Sequence, residues 1–290
     1  MTELLKGKPV ADAIVDALKN DTTVLESKDI KPCLALMRVG EKSDDIAYEK
    51  AIVKRCDAVG IATTRVELPE EITQEDFLVE LGKVNEDKLI HGILIFRPLP
   101  KQLDEKVIET NIAAEKDVDC LHPENTAKLL TGDESGFVPC TPMAVMEILR
   151  HYQIPLEGKN AVVLGRSMVV GKPAALLLLQ ENATVTVAHS RTRDLEKITS
   201  GADILVAAIG RSEFVREAHI KKGAVVADVG INVDENGNMT GDVHQEEAKR
   251  KAGFFTPVPG GVGSVTTAVL AKQVIKACKM QTKEKGNQNN

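Results

Sequence analysis

The chain has 290 residues, with 37 Lys and Arg against 43 Asp and Glu, and therefore a formal net charge of −6. A chain of this length suits about two domains of roughly 100 to 200 residues each. The acidic balance argues against binding to a nucleic acid backbone, and six Phe, two Tyr and no Trp are too few for a platform that stacks single-stranded bases.

The sequence shows no sign of a membrane segment, a disulfide framework or a metal site. Its longest apolar run, residues 174–179, is far short of the roughly 20 residues that span a membrane, and the amino terminus lacks the apolar core of a secretory signal. The five cysteines are scattered, and the six histidines show no HxH or HExxH spacing. We therefore expect a cytoplasmic protein with reduced thiols that binds no metal, membrane or nucleic acid.

Short β-rich segments alternate with helical segments through the first half of the chain. The predicted elements are strands at residues 32–39, 61–68 and 90–96 and helices at residues 43–59 and 73–84. Thr73 and Asp76 resemble a capping box, and Pro98 and Pro100 end the third strand because proline cannot donate to a strand ladder. This alternation predicts a parallel sheet covered by helices.

A second series of helices and strands follows residues 139–142. The predicted elements are helices at residues 143–151, 172–180, 192–199 and 265–279 and strands at residues 161–164, 183–188, 203–209 and 224–229. Residues 234–242 are turn-rich and predict a hairpin or an excursion, and residues 281–290 are polar and are expected to fray. The predicted fold is α/β, with two domains around a cleft, the second a Rossmann-like doubly wound parallel sheet.

Two glycine-containing loops are candidates for ligand binding. In a turn between a strand and a helix, such as Gly165 to Gly171, glycines let the backbone approach a phosphate and the helix N-terminus faces the anion. The pattern is GxSxxxG rather than the GxGxxG fingerprint, so an ordinary strand-to-helix turn explains it equally well. Residues 256–263, TPVPGGVG, form a second shaped loop before the last helix. The two loops together favour a ligand-facing role.

The end of the following strand favours NADP over NAD. A NAD site usually places an Asp or Glu there to hold the ribose hydroxyls. Residues 189–193 read His-Ser-Arg-Thr-Arg, and the first acid is Asp194. Hydroxyl and guanidinium groups suit a 2′-phosphate, to which Arg166 can add its own guanidinium. A solvated helix start is the alternative explanation for Arg191 and Arg193.

A series of motifs occurs in one order: DDIAY at residues 44–48, KDVD at 116–119, VPCTP at 138–142, GRSMVVGKP at 165–173, HSRT at 189–192, DVGIN at 228–232 and TPVPGGVG at 256–263. In this combination the chain resembles the bifunctional methylenetetrahydrofolate dehydrogenase/methenyltetrahydrofolate cyclohydrolase family. The resemblance implies oxidation of 5,10-methylenetetrahydrofolate by NADP to 5,10-methenyltetrahydrofolate, followed by hydrolysis to 10-formyltetrahydrofolate. It also implies a homodimer joined through the nucleotide domains.

The resemblance further implies domain bounds and site residues. Residues 1–140, with a returning helix at about residues 270–290, would form the folate-binding catalytic domain, and residues 141–269 the NADP-binding domain. The implied NADP contacts are Gly165, Arg166, Ser167, Ser190 and Ile231, of which Arg166 and Ser190 would hold the 2′-phosphate. The implied folate contacts are Tyr48, Asp119, the positions of Ile52 and Phe96, and the loop residues Pro259, Gly260, Gly261, Val262 and Gly263. Tyr48 would lie against the folate and Asp119 would bond the pterin, which makes these two the candidate catalytic residues.

The sequence departs from the family at two linked positions. The family pattern is Tyr-x-x-x-Lys, in which the lysine is the acid/base group of the hydrolysis and is bonded by a glutamine on a neighbouring strand end. Ile52 and Phe96 stand at these two positions. Lys50 and Lys54 lie about 200° and 240° around the helix from Tyr48, so neither replaces the missing amine.

The two chemical steps depend differently on the missing lysine. Hydride transfer needs the methylene carbon held against the cofactor, whereas water attack and ring opening move protons. We therefore expect a competent dehydrogenase with a weakened or rerouted cyclohydrolase, in which Tyr48, Arg97 or water could move the proton. The alternatives are a dehydrogenase without cyclohydrolase activity, which could prefer NAD, and a non-catalytic protein that binds a nucleotide or folate.

Overall fold

The computed structural model describes residues 2–233 and 237–287. The strands are β1 (Glu3–Leu4), β2 (Cys33–Val39), β3 (Ala62–Leu68), β4 (Gly92–Ile95), β5 (Asn160–Leu164), β6 (Thr184–Ala188), β7 (Ile204–Ala207), β8 (Val225–Asp228), β9 (Asn232–Val233), β10 (Met239–Thr240) and β11 (Phe254–Phe255).

The helices alternate with these strands. They are α1 (Gly7–Glu26), α2 (Ser43–Ala58), α3 (Gln74–Glu86), α4 (Glu105–Asn111), α5 (Pro123–Thr131), α6 (Cys140–His151), α7 (Gly171–Gln180), α8 (Leu195–Thr199), α9 (Gln245–Lys251) and α10 (Gly263–Asn287), with a 3₁₀ turn at Glu217–His219. None of the described helices is both long enough and apolar enough to cross a membrane.

The chain divides into two compact units. One, the six-stranded unit, contains Met1–Asp12 and Pro139–Val269; the other, the three-stranded unit, contains Ala13–Val138 and Leu270–Asn290. The prediction assigned residues 1–12 to the amino-terminal domain, and the structure differs there. The reason is that β1 pairs in parallel with β11, which makes the first residues part of the larger sheet.

The three-stranded unit is built around β2, the central strand of a parallel sheet ordered β3-β2-β4. Every residue of β2 is buried, as expected for a strand covered on both faces. Helix α3 buries Phe77, Leu81 and Val84 in the same apolar cluster, because residues at i, i+4 and i+7 share one helix face. The Thr73 hydroxyl accepts from the Asp76 N–H at 3.1 Å, so the predicted cap at this helix start is confirmed.

The six-stranded unit holds a parallel sheet ordered β1-β11-β8-β7-β5-β6. Strand β5 lies between β6 and β7, so the strand order reverses at β5, as in a doubly wound fold. The apolar core beneath it includes Leu164, Leu205, Val226 and Phe255. The prediction of an α/β protein with a Rossmann-like parallel sheet is therefore confirmed.

The element bounds differ from the predicted ones in a few places. Helix α6 begins at Cys140 rather than at residue 143, because Pro142 falls in the first turn, where no helical N–H bond is needed. Helix α10 continues to Asn287 through a segment that was expected to fray, and the rest of that segment, residues 288–290, lies outside the described residues. Strand β10 lies in the turn-rich segment 234–242 and pairs antiparallel with β9, which directly precedes that segment. Residues 234–236 of the segment lie outside the described residues.

Candidate functional site

The carboxyl ends of four strands meet along one edge of the six-stranded sheet. Leu164 at the end of β5 pairs with Ala188 of β6 and with Ala207 of β7, and Ala207 pairs with Asp228 of β8. The predicted NADP contacts follow directly after these strands: Gly165, Arg166 and Ser167 after β5, Ser190 after β6, and Ile231 after β8. Ligands of open α/β sheets bind at this edge, where the strand order reverses.

The backbone of the turn after β5 leaves no room for side chains at two glycines. Gly165 has a φ of 131°, and a Cβ there would clash with the carbonyl oxygen of Ala208. A Cβ on Gly171 would clash with the carbonyl oxygen of Gly165. The two glycines therefore allow close backbone approach at the start of α7, which is also what the glycines of a dinucleotide loop allow.

Ser167 closes this turn onto the first turn of α7. Its Oγ accepts from the N–H groups of Val170 and Gly171, at 3.1 and 3.3 Å. A hydroxyl that accepts these two bonds keeps its own hydrogen for donation to a phosphate oxygen. Ser167 is exposed, so this donor faces solvent at the N-terminus of a helix.

The residues beyond β6 fit a phosphate on the ribose. Ser190, Arg191 and Arg166 are all exposed, and the turn that carries Ser190 is held by the N–H of His189, which donates to Thr192 Oγ1 at 2.8 Å. No acid stands between Ala188 and Asp194 to repel an anion. Hydroxyl and guanidinium donors without a carboxylate suit a 2′-phosphate, so these residues fit NADP.

The loop Pro259 to Gly263 also belongs to the six-stranded unit. The N–H of Gly7 donates to the Gly260 oxygen at 2.8 Å, which ties the loop to the start of α1. A Cβ on Gly263 would lie 3.5 Å from the Ile231 Cδ1, so this predicted folate loop adjoins a predicted NADP residue. Gly261 and Val262 are buried, whereas Gly260 is exposed. The loop is therefore partly buried in the six-stranded unit and partly exposed, and its exposed part is accessible to a ligand.

The predicted folate residues of the three-stranded unit lie on α2 and after β4. The rings of Tyr48 and Phe96 meet edge to face, with centroids 6.0 Å apart. Tyr48 is 37% exposed, Phe96 is 5% exposed and Ile52 is fully buried. Lys50 and Lys54 are exposed on a regular helix. The lysine position of the family is therefore occupied by a buried aliphatic side chain.

Asp119 follows a segment that bridges to β4. Ile93 pairs in parallel with Asp117, and the Ile93 N–H donates to the Lys116 oxygen at 2.7 Å. Asp117 is fully buried, and its carboxylate accepts from the N–H groups of Leu121 and His122 at 2.9 and 2.8 Å. Of the KDVD motif, Lys116 and Asp117 are thus structural, whereas Asp119 is half-buried.

An ionic network beside Tyr48 was missed by the sequence prediction. Arg38 on β2 donates to Glu49 Oε2 at 3.1 Å, to Glu67 Oε1 at 2.8 Å and to the Gly40 carbonyl. The other oxygen of Glu49 lies 2.7 Å from Arg65 Nε. The sequence does contain an indication of this network, because Arg38 is the one charged residue in an otherwise apolar strand. A charge in such a strand needs a buried counter-ion.

Other polar candidates near these residues have structural explanations. Burial, and then the negative charge of Asp117, raise the pKa of the Cys120 thiol to about 12, which leaves it inert as a nucleophile. The His122 ring accepts from the Glu124 N–H at 3.1 Å and caps α5. Among residues 2–233 and 237–287, no group of three or more His, Cys, Asp and Glu is placed to hold a metal ion.

Comparison with known proteins covers most of the chain. Residues 5–119 match the tetrahydrofolate dehydrogenase/cyclohydrolase catalytic domain, and residues 139–282 match the NAD(P)-binding domain of the same family. The bifunctional protein FolD of Alkaliphilus oremlandii is 64% identical over 281 residues, which are 97% of this chain and 99% of that one.

Solved structures of two relatives are closely similar. One is the bifunctional FolD of Campylobacter jejuni, with a TM-score of 0.94, 42% identity, and coverage of 97% of this chain and 99% of that one. The other is the N5,N10-methylenetetrahydrofolate dehydrogenase-cyclohydrolase of Trypanosoma brucei, complexed with NADP and an inhibitor, with a TM-score of 0.92, 38% identity, and coverage of 97% and 98%. The motifs, the sheet order and these matches agree, and the chain belongs to the tetrahydrofolate dehydrogenase/cyclohydrolase family.

Proposed function

We propose that the protein oxidises 5,10-methylenetetrahydrofolate to 5,10-methenyltetrahydrofolate with NADP and hydrolyses the methenyl product to 10-formyltetrahydrofolate. The observation that carries the oxidation is the sheet edge at β5 and β6, where Gly165 and Gly171 allow close backbone approach and no acid stands between Ala188 and Asp194. The two relatives with solved structures support both activities, since their names state dehydrogenase and cyclohydrolase functions.

The oxidation requires only binding and orientation from the chain. The sheet edge would hold NADP, which would supply the hydride acceptor for the methylene carbon of the folate. Ser167 and the first turn of α7 would donate to its phosphates, and Arg166 and Ser190 would hold the 2′-phosphate. Tyr48 and Phe96 would offer an aromatic wall to the folate, and Asp119 would accept from its pterin.

The hydrolysis must proceed without the family lysine. Ile52 is fully buried and Phe96 is 5% exposed, so neither position supplies a proton-transfer group. The same observation favours the second candidate function, a dehydrogenase without cyclohydrolase activity. The two candidates differ in one readout, which is whether purified methenyltetrahydrofolate is hydrolysed faster with the protein than in buffer.

The cofactor assignment is tested by removing the proposed 2′-phosphate contacts. Arg166→Leu should raise the KM for NADP by about 10- to 100-fold, because a hydrogen bond to a charged group contributes roughly 1.5–3 kcal/mol. The KM for NAD should change little, since NAD lacks the phosphate. The measurement is the initial rate of reduced nicotinamide formation with methylenetetrahydrofolate at varied cofactor concentration.

Arg250→Leu is the matched control, because it removes a positive charge from α9 of the same unit, where Arg250 pairs with Glu217 at 3.6 Å. It should leave the KM for NADP near that of the wild type. Equal effects of Arg166→Leu on NADP and NAD would show that Arg166 does not contact the 2′-phosphate. No reduction of either cofactor by the wild type would overturn the proposed oxidation.

The proposal includes a homodimer in the cytoplasm. Strand β6 is the last strand of its sheet, and Val187 on it is 40% exposed, so its outer edge is suited to pairing with a second copy. Sedimentation should give twice the chain mass, and Val187→Lys should shift the protein towards the monomer. A wild type that sediments as a monomer at micromolar concentration would contradict the dimer.

A further inference from the structure

One acidic side chain shares the helix face from which the family lysine is missing. On α2, Asp45 precedes Tyr48 by three residues and Ile52 by seven. At about 100° per residue, Asp45 lies roughly 60° from Tyr48 and 20° from Ile52 around the helix axis. A side chain on a helix leans towards the N-terminus, so a lysine at position 52 would extend towards the turns that carry Tyr48 and Asp45.

The first turn of α2 also lies beside the segment that carries Phe96. Lys42, which directly precedes the helix, donates from Nζ to the Pro98 oxygen at 3.1 Å. Asp45 interacts electrostatically with Lys42, so the two groups are close. Asp45 therefore shares a helix face with Ile52, and it lies in the helix turn that is tied, through Lys42, to the segment following Phe96.

The surroundings of Asp45 suit a group that exchanges a proton. Asp45 is half-buried, and burial raises the pKa of its carboxyl group. The positive charges of Lys42 and Arg38 lower this pKa, and the negative charges of Asp44 and Glu70 raise it, with burial as the largest cause. A carboxyl group with a raised pKa is a better base than an ordinary exposed aspartate.

Two other charged groups near the Tyr48 and Phe96 positions, Glu49 and Arg97, are engaged or chemically unsuited. Both oxygens of the buried Glu49 are held by Arg38 and Arg65. Arg97 lies 4.0 and 3.9 Å from the carboxylates of Glu105 and Glu109, and a guanidinium group does not give up its proton in proteins. Asp45, by contrast, forms no ion pair with any residue in the described part of the chain.

We propose that Asp45 is the acid/base residue of the methenyl hydrolysis, in place of the family lysine; this rests on the function proposed above. As water attacks the cationic methenyl carbon, a C–O bond forms and one water proton passes to the Asp45 carboxylate. When the bond from that carbon to N5 breaks, the proton on Asp45 moves to N5. The remaining hydroxyl proton leaves to solvent as the formyl C=O forms, so the cation and water give the neutral formyl product and one proton.

The test compares Asp45→Asn with Asp44→Asn. Each variant removes one carboxylate from the first turn of α2, but Asp44 is exposed and lies about 100° around the helix from Asp45. Hydrolysis of purified methenyltetrahydrofolate, corrected for the buffer rate, and NADPH formation are measured for each variant. The ratio of hydrolysis to NADPH formation should fall about 10²- to 10⁴-fold in Asp45→Asn and stay near the wild-type ratio in Asp44→Asn.

The pH profile separates a proton-transfer role from a structural one. A base acts in its ionised form, so the corrected wild-type kcat for hydrolysis should fall as the pH drops through the raised pKa of Asp45. That fall should lie closer to neutral pH than for an ordinary aspartate. The pH profile of Asp45→Asn should lack this fall in kcat at low pH. Asp45→Glu should restore part of the hydrolysis rate, and its profile should again show the fall.

Each outcome bears on a distinct claim. If wild type hydrolyses the methenyl compound faster than buffer and Asp45→Asn does so equally well, the inference about Asp45 is overturned while the proposed function stands. If Tyr48→Phe abolishes the hydrolysis and Asp45→Asn does not, Tyr48 moves the proton. If the wild type hydrolyses the methenyl compound no faster than buffer does, the proposed hydrolysis and the role of Asp45 are both wrong. The proposed oxidation is then tested by NADPH formation alone.

Discussion

Replacing Arg38 with methionine should lower the free energy of unfolding by about 3–5 kcal/mol. The side chains of Arg38 and Glu49 are only 6% and 8% exposed, and Arg38 also bonds Glu67 and the Gly40 carbonyl. Removing the guanidinium leaves the buried Glu49 with Arg65 alone, whose side chain is 51% exposed. Denaturant unfolding followed by circular dichroism measures this loss.

Two further variants show whether the unpaired charge is the cause. Arg65→Met should lower the free energy of unfolding much less than Arg38→Met, because an ion pair with an exposed partner contributes roughly 0–1 kcal/mol. Arg38→Met/Glu49→Leu should recover most of the stability, since replacing both buried partners with apolar groups removes the uncompensated charge. A double variant as unstable as Arg38→Met would contradict this explanation and point to lost packing.

Restoring the family pair should return hydrolysis to a protein that lacks Asp45. In an Asp45→Asn background, Ile52→Lys/Phe96→Gln should raise the hydrolysis rate of methenyltetrahydrofolate by about 10²- to 10⁴-fold. The lysine would lie one turn from Tyr48 on the same face, and the glutamine would give its buried amine a partner. The rate above buffer, measured with purified methenyltetrahydrofolate, is the readout.

The single changes serve as controls. Ile52→Lys alone places an amine at a fully buried position without the glutamine that would bond it, so it should lower the stability of the protein. Phe96→Gln alone supplies no acid/base group and should leave hydrolysis at the level of Asp45→Asn. If the paired change folds and gives no gain, the two departures from the family do not account for the proton transfer.

Much of the fold was predictable because its signals are local. The alternation of apolar runs with capped helices predicts every strand of the two main sheets except the two-residue strands β1 and β11. Those two were missed because Glu3–Leu4 and Phe254–Phe255 are too short to show periodicity. They form through pairing with each other, a contact between residues at opposite ends of the chain that no sequence window contains.

The candidate site was predictable where residues follow a strand end. Arg166 and Ser190 each come two residues after the paired strand ends Leu164 and Ala188, a register that the predicted parallel sheet already implied. Asp45 and the Arg38 network were not predicted, because their significance depends on burial. A carboxyl group in the first turn of a helix ordinarily serves the helix dipole, and only the three-dimensional surroundings of Asp45 distinguish it from Asp44.

The most direct test supplies methylenetetrahydrofolate and NADP to the wild-type protein and follows NADPH, methenyltetrahydrofolate and 10-formyltetrahydrofolate together. We predict that NADPH forms and that 10-formyltetrahydrofolate appears faster than methenyltetrahydrofolate hydrolyses in the same buffer. Accumulation of the methenyl product, with decay at the buffer rate, would contradict hydrolysis by a chain that carries Ile52 in place of lysine. Absence of NADPH would contradict the oxidation itself.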